Sequence, residues 1–258
     1  MEKNQTLPFV FDLEKLERIA LEQHETYVRA TPFPHIVLDD FLTGEELEKV
    51  LGEFPKPGSA DWLRLHHENS KKLALNDELQ FGENTRRILT ELNSSTFLGF
   101  LEKLTGIEGL VPDPHFWGGG LHQIERGGFL NVHADFNWYE KLKLDRRLNL
   151  LLYLNQDWSE GYGGHLELWS RDMSRSEKKI LPVFNRCVIF STTDFSYHGH
   201  PTPLTCPEGR TRKSLALYYY TNGRPLGEVS RPHSTLYQKP GARANRSLWD
   251  LLKWWIHK

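Results

Sequence analysis

Two residues near the middle of the chain have the types and the spacing that metal chemistry requires. His133 and Asp135, in "NVHADFNWYE", are separated by one residue, and on a β-strand this spacing puts both side chains on the same face. An imidazole and a carboxylate on one face can take two adjacent positions around a single metal ion. The pair is therefore a candidate for half of a metal site.

The spacing of the pair carries little weight by itself. With 12 histidines and 34 acidic residues among 258, chance gives between one and two His-x-Asp/Glu pairs, and the sequence contains three: His66/Glu68, His133/Asp135 and His165/Glu167. The first lies in a stretch that we predict to be a polar loop, and the last can face solvent from a half-buried strand. The middle pair ends an apolar strand and leads into an aromatic loop, which favours it.

A third metal ligand must come from elsewhere in the chain. The best candidate is His198, which follows the apolar run "RCVIFS" and precedes Gly199, and His200 is the alternative. Two histidines and one carboxylate on one side of a metal, with the other positions open, form the facial triad of non-haem iron oxygenases. A structural zinc site would need four protein ligands and no open coordination position, and Cys187 and Cys206 are poorly spaced to contribute to such a set.

The elements that must hold these residues change type along the chain. The apolar face of residues 11–28 and the capping-box pattern Thr43-Gly44-Glu45-Glu46 predict helices in the first third, followed by a polar loop over residues 56–72. From Gly118 onward, short strand-like runs alternate with glycine and proline turns, which favours a closed sandwich or barrel. The run "RSLWDLLKWWIHK" predicts a last helix.

We therefore expect a mainly β protein with supporting helices, in which the helices pack on one side of a double-sheet roll. Residues 1–117 are predicted to form helical support together with the first strands of the roll, and residues 118–225 to form the β core. Residues 226–258 are predicted to be an extension that ends in the last helix. The three parts are expected to form one compact domain.

The composition argues against several classes of protein. A net charge of −2 provides no basic field for nucleic acid, and no apolar run approaches the roughly 18 residues of a membrane helix. The start "MEKNQTLPFV" lacks the features of a signal peptide, and two cysteines are too few for a disulfide framework. These features predict a cytoplasmic protein with no nucleic-acid partner, and they leave the oligomeric state open.

A series of motifs follows a fixed order over about residues 121–220. The series runs "HAD" from His133, "LYLNQDW" from Leu152, "GGHLEL" from Gly163, "SYHG" around His198 and "RKSLALYYY" from Arg212. In this order it resembles the iron(II)/2-oxoglutarate oxygenases, and within them the prolyl-4-hydroxylase-like group. Members show His-x-Asp, Tyr-Leu-Asn-x-Asp-Trp, Gly-Gly-x-Leu, a distal histidine and then a basic residue. The upstream run "TPFPHIVLDDFL" also resembles the lead-in common in this group.

The resemblance implies a fold, a cofactor set and a reaction. The core would be a double-stranded β-helix, a jelly-roll or cupin-like fold. His133, Asp135 and His198 would bind Fe(II), with 2-oxoglutarate and O2 as cosubstrates and ascorbate as a stimulant. An unactivated C–H would be hydroxylated, with succinate and CO2 as coproducts. Related halogenases have a small residue in place of the carboxylate ligand, so Asp135 favours hydroxylation.

The resemblance also implies a cation for the distal carboxylate of 2-oxoglutarate. Arg212 fits this role because a guanidinium binds a carboxylate through two hydrogen bonds, and Arg210 and Lys213 are the alternatives. Ser214, on the same strand face as Arg212, could add a hydroxyl group. Tyr153 stands where the family has a tyrosine that bonds this carboxylate, although its run "LLLYL" can equally place it in the core.

Two further polar residues are expected near the cosubstrate. Many relatives have a tyrosine ten residues before the first iron ligand, and here that position is Gln123, whose amide can still bond a carboxylate. Asn149 is expected to face the same pocket.

The substrate is the least determined part of the prediction. Phe136, Trp138 and Tyr139 follow the His-x-Asp motif and could line an apolar or proline-shaped pocket, or could cap the core. The predicted substrate is a prolyl or other amino-acid residue. The binding partner is therefore expected to be a peptide or a small molecule. The alternatives are a free amino acid or small metabolite, a non-catalytic jelly-roll binding module, and a partner-binding protein that acts through "WDLLKWWIHK".

Overall fold

The computed structural model describes residues 8–238, and the helix predicted near the C-terminus lies outside them. Within this range the chain forms four α-helices: α1 (Leu13–Val28), α2 (Gly44–Glu53), α3 (Glu83–Leu92) and α4 (Ser95–Thr105). Thr43 precedes α2 as predicted, but its side chain makes no capping hydrogen bond. None of the helices in residues 8–238 is both long and apolar enough to cross a membrane.

The strands of the described range make one antiparallel sheet. In chain order they are β1 (His35–Leu38), β2 (Leu63–His67), β3 (Ser70–Leu75), β4 (Val111–Pro112), β5 (Gly120–Ile124), β6 (Phe129–Ala134), β7 (Trp138–Tyr139), β8 (Leu144–Tyr153), β9 (Leu166–Trp169), β10 (Ser176–Ile180), β11 (Cys187–Ser191), β12 (His198–His200), β13 (Arg212–Thr221) and β14 (Leu236–Tyr237).

The sheet curls into a roll. Its strand order is β1-β11-β8-β13-β5-β3-β6-β12-β9-β10, with β2, β4, β7 and β14 added at the sides. The strand β3 links the two halves because it pairs with both β5 and β6. The predicted mainly β jelly-roll core with supporting helices is confirmed.

The period-2 pattern of the central strands decides which side chains enter the roll. On β8 and β13 one set of alternate residues packs outward into the large core shared with the helices, and this set includes Leu150, Leu152, Leu215 and Leu217. The other set faces inward and is partly polar. Helices on one side and polar groups inside leave the interior of the roll available for a site.

The predicted polar loop over residues 56–72 is wrong in its second half. Residues 63–75 form the hairpin β2–β3, in which Leu65 pairs with Lys72 and His67 with Ser70. The strand β2 is almost entirely exposed, so its sequence is as polar as that of a loop. The strand β3 passes into the interior and ends in the buried residues Leu73–Leu75, which ties the hairpin to the roll.

Candidate metal centre

Two neighbouring strands of the roll bring the three predicted ligands together. His133 lies near the end of β6, Asp135 follows that strand, and His198 begins β12, where it pairs directly with His133. The two imidazole rings are 4.5 Å apart between centroids. One potential ligand atom from each of the three residues lies within 4.8 Å of the others, so the cluster could hold a metal ion.

Backbone hydrogen bonds orient both imidazoles in the same way. Each ring uses Nδ1 to bond the carbonyl oxygen two residues earlier, at 2.8 Å for His133 and 2.9 Å for His198. Their Nε2 atoms therefore face Asp135, at 3.4 Å and 3.5 Å from its carboxylate oxygens. Burial, with a further contribution from His133, lowers the pKa of His198 to about 4. The ring is neutral at pH 7, as a metal ligand must be.

The carboxylate of Asp135 is held by two side chains of β8. Asn149 donates to its Oδ2 at 2.7 Å, and the guanidinium of Arg146 lies 3.2 Å from the same oxygen. Burial opposes ionisation, but the charge of Arg146, with further contributions from the neighbouring His198 and His133, holds the pKa of Asp135 well below its usual range. The anionic form is thus secured, and Oδ1 remains on the side of His133.

Arg146 was not singled out in the sequence, although it is among the most buried side chains of the described chain, at 1 % exposure. Its Nε and Nη2 donate to Oδ1 of Asn149 at 3.0 Å and 2.7 Å. The guanidinium carbon lies 4.4 Å from the ring centre of Phe136 and 3.5 Å from that of Tyr218. In "LDRRLN" it resembles a surface residue, and only its inward position on β8 reveals its role.

A glycine allows the two ligand-bearing strands to approach each other. A Cβ atom on Gly199 would lie 2.8 Å from the carbonyl oxygen of Leu130 and 2.9 Å from that of Asn131. Both are backbone atoms of β6, so they cannot yield as a flexible side chain would. A side chain here would push β12 away from β6 and separate His198 from His133.

A cavity of about 70 Å³ extends from the triad into the roll. Its polar lining residues are Lys72, His122, His133, Asp135, Asn149, His198, His200, Arg212, Ser214 and Tyr218. Arg212 is 5 % exposed, and its Nε donates to the carbonyl of Gly164 at 2.7 Å. No acidic side chain of residues 8–238 is among the groups that influence its ionisation. Burial lowers the pKa of Arg212, so the cavity holds a cation without a carboxylate partner.

The other residues predicted around this cation lie at different depths. Ser214 lines the cavity two residues along β13 from Arg212. Tyr153 is fully buried behind the arginine and is not in the lining. Its hydroxyl accepts a hydrogen bond from Nη2 of Arg212 at 3.2 Å, and its ring centre is 4.9 Å from the guanidinium carbon. Tyr153 can therefore position Arg212 from behind.

The alternative cations Arg210 and Lys213 do not enter the cavity. Arg210 reaches the backbone carbonyl oxygen of Asp157, at 3.0 Å. Lys213 points to the opposite face of β13 and lies 5.9 Å from the ring centre of Phe54. Strand alternation separates Lys213 from Arg212, as the sequence predicts.

The structure places Gln123 outside the cavity, which corrects the prediction that it contacts the cosubstrate. Its amide nitrogen donates to the carbonyl of Pro55 at 3.2 Å, and its amide oxygen accepts from Thr211 at 2.7 Å. The neighbouring His122 lines the cavity instead. His198 pairs with His133, and His200 pairs with Leu130, so three residues of β6 span the same length as two of β12. This bulge shifts the alternation of side chains along β6 by one residue. Counting back ten residues from His133 therefore reaches the wrong face of β5.

His200, the alternative third ligand, lies in the cavity but outside the metal cluster. Neither ring nitrogen has a hydrogen-bond partner among the described residues. Burial and the nearby charges of Arg212 and Lys72 hold the pKa of His200 well below its usual range, so the ring is neutral. His198 is therefore the histidine that joins the cluster with His133 and Asp135.

The aromatic residues after the motif lie on the outer side of the triad. Phe136, Trp138 and Tyr139 line an outer cavity of about 710 Å³, and Phe136 also lines an inner cavity of about 280 Å³ beside His133 and Asp135. Tyr139 is 3 % exposed and stacks on Trp117 at 5.8 Å between ring centres. Tyr139 thus also serves as core, whereas Phe136 reaches the space next to the triad.

Solved structures of several oxygenases have the same fold. A prolyl-4-hydroxylase from Pseudomonas putida aligns with a TM-score of 0.54 and 16% identity, covering 82% of this chain and 100% of that one. A prolyl hydroxylase from Trichoplax adhaerens, in complex with a hypoxia inducible factor peptide fragment, gives 0.53 and 19%, covering 81% and 91%. HygX from Streptomyces hygroscopicus, with nickel and 2-oxoglutarate bound, gives 0.53 and 12%, covering 84% and 96%.

The family comparison matches the part of the chain that builds the site. Residues 119–220 match the model of the 2OG-Fe(II) oxygenase superfamily, and this range contains the three clustered side chains and Arg212. The cofactors of that family are Fe(II), 2-oxoglutarate and O2, and the chemistry of the clustered donors fits such a metal. This match over residues 119–220 and the shared fold indicate a 2-oxoglutarate-dependent non-haem iron oxygenase.

Proposed function

We propose that the enzyme hydroxylates an unactivated C–H, with Fe(II) held by His133, Asp135 and His198 and 2-oxoglutarate held by Arg212. One observation carries the proposal: the cavity has three converging metal-ligand side chains at one end and a buried guanidinium without a carboxylate partner at the other. A dicarboxylate that reaches from the metal to Arg212 would satisfy both ends.

The overall reaction balances as substrate C–H, 2-oxoglutarate and O2 giving substrate C–OH, succinate and CO2. The bound iron supplies activation of O2 coupled to oxidative decarboxylation of the cosubstrate. The chain keeps Nε2 of both imidazoles directed at the metal through their backbone hydrogen bonds. Asn149 and Arg146 keep Asp135 ionised and oriented, and the buried walls exclude water.

Two features support hydroxylation within this superfamily. Asp135 supplies the carboxylate ligand, whereas a halogenating enzyme needs that coordination position for halide. The triad and the buried Arg212 are both intact, so a non-catalytic binding module is not favoured. The prediction of a prolyl or other amino-acid residue as substrate stays a prediction.

The test combines a spectroscopic and a catalytic measurement. Under anaerobic conditions, Fe(II) and 2-oxoglutarate together should give a weak visible charge-transfer band in the wild type. Asp135→Ala should lose the band, together with substrate-coupled succinate formation, because one of three ligands is gone. His165→Ala, in the matched His-x-Glu pair at β9, should retain both, because this imidazole bonds Glu160 and is not in the cavity lining. Succinate formation at the wild-type rate in Asp135→Ala would disprove the proposal.

A further inference from the structure

The inner cavity beside the triad has aromatic and aliphatic walls and a lysine that forms no ion pair within residues 8–238. Its apolar lining is Leu63, Leu65, Ala74, Trp117, Leu130, Phe136, Tyr218 and Tyr237. Lys72 lies on β3 between this cavity and the 70 Å³ cavity that contains Arg212, and it lines both. At about 280 Å³ the inner cavity is near the small end of ligand pockets, which commonly measure about 300–1,000 Å³.

Titratable groups from several strands lie near Lys72, and only one of them is an anion. The set consists of Asp135 after β6, Arg146 on β8, Arg212 on β13, His122 on β5 and His200 on β12. Its one anion, Asp135, already accepts from Asn149 at 2.7 Å and pairs with Arg146 at 3.2 Å. Asp135 would also bind the metal, so Lys72 has no carboxylate of its own among the described residues.

The cosubstrate does not supply the missing anion. In the proposed function, one carboxylate of 2-oxoglutarate lies on Arg212 and the other binds the metal. Arg146 is compensated by Asp135. An uncompensated ammonium is therefore left where the inner cavity meets the triad, and burial lowers the pKa of Lys72 to about 8. A half-buried charge of this kind is stabilised when a ligand of opposite sign pairs with it.

We infer that the substrate carries a carboxylate that pairs with Lys72, while its carbon chain lies between the aromatic walls of the inner cavity beside the triad. This inference rests on the proposed function and names the chemical class of its substrate. The ammonium would position the acid, so that the reacting carbon lies at a set distance from Lys72.

A free carboxylic acid and an acidic side chain of a peptide both offer this chemistry. The two differ in how they would enter, because both edges of β6 are already paired. The strand β12 occupies one edge, and β3 and β14 share the other. A peptide therefore cannot add to β6 as a further strand, and it would insert only its side chain.

The test measures binding of matched acid and amide probes to protein loaded with Ni(II) and 2-oxoglutarate, by isothermal titration. The small-molecule pairs are 3-phenylpropanoate with its amide and N-acetyl-leucine with its amide. The peptide pair is acetyl-Ala-Glu-Ala-amide with its glutamine counterpart. Acids should bind at least about tenfold more tightly than amides, since close charge pairs at an interface contribute at least about 1.4 kcal/mol. The stronger of the two acid arms identifies the source of the carboxylate.

Three variants connect the preference to Lys72. Lys72→Met should reduce the acid preference to less than twofold, and Lys72→Arg should keep it because the charge remains. Lys71→Met is the matched control, since this neighbouring lysine is exposed on the other face of β3. Equal binding of acids and amides by the wild type would overturn the inference, as would an acid preference that survives Lys72→Met. Failure of the proposed function would be distinct, because the Fe(II)/2-oxoglutarate band would be missing from the wild type.

Discussion

Arg146 and Arg212 are two buried arginines on neighbouring strands, and they differ in what neutralises them. Arg146 on β8 pairs with Asp135 at 3.2 Å and lies between the rings of Phe136 and Tyr218. Arg212 on β13 has a backbone carbonyl and the hydroxyl of Tyr153 as partners, and no carboxylate within residues 8–238. One charge is compensated by a carboxylate of the described chain, and the other is not.

The difference separates a positioning role from a binding role. Removing one partner of a buried ion pair leaves the other charge uncompensated, which destabilises the folded state. Removing an unpaired buried cation relieves the folded state of a desolvated charge and removes the partner of a ligand. Arg146 should therefore matter most for stability, and Arg212 for cosubstrate affinity.

The largest expected effect follows from Arg146→Met. Asp135 would lose its cation inside the roll, so the free energy of unfolding should fall by about 3–5 kcal/mol. Urea denaturation of metal-free protein measures this, and the loss should be smaller with metal bound because the metal also neutralises Asp135. Arg175→Met, which breaks an exposed pair with Glu177, should cost less than about 1 kcal/mol. An equal loss in both variants would remove the distinction between the two arginines.

Arg212→Met should show the opposite pattern. The affinity for 2-oxoglutarate should fall by about 100-fold, which corresponds to roughly 2.7 kcal/mol, because the distal carboxylate loses its cation. The free energy of unfolding should remain within about 1 kcal/mol or rise, since an unpaired charge is no longer buried. Titration of the charge-transfer band measures the affinity, with Arg210→Met as the control. If Arg212→Met kept the wild-type affinity, the distal carboxylate of 2-oxoglutarate would have to bind a residue other than Arg212.

The smallest effect is expected for Tyr153→Phe. This change removes the hydroxyl that accepts from Arg212 at 3.2 Å but leaves the ring against the guanidinium. The affinity for 2-oxoglutarate should fall by about threefold to tenfold, the usual range for one hydrogen bond. The same titration checks it. A loss as large as that of Arg212→Met would indicate that Tyr153 itself contacts the cosubstrate.

The parts of the site that follow from order along the chain could be predicted. His133 and Asp135 share a strand face because of their spacing, and His198 follows another buried strand. The motifs around them recur in one order in the superfamily, so they also predict the jelly roll. The pairing of β13 with β5 is regular from Arg212 to Ala216, and this alternation separates Arg212 from Lys213 correctly.

The parts that depend on pairing between distant strands could not be predicted. Gln123 was expected in the cavity, but the bulge in β6 means that a ten-residue spacing does not put Gln123 and His133 on the same face, and His122 lines the cavity instead. Lys72 was assigned to a loop, because an exposed hairpin has the composition of one and its entry into the roll is a tertiary contact. Arg146 resembles any charged strand residue until its partner Asp135 is located.

Gly199 shows that the site can be lost without a change to any ligand. The contact of β12 with β6 leaves no room for a single methyl group, since the atoms in the way belong to the backbone. The tolerance of the site to mutation is therefore limited by a missing atom as much as by the atoms that bind. An alanine at this position would keep every donor and acceptor of the triad while changing the distance between them. Such a variant would contain every side chain that the site needs, and only the changed distances between them would show the defect.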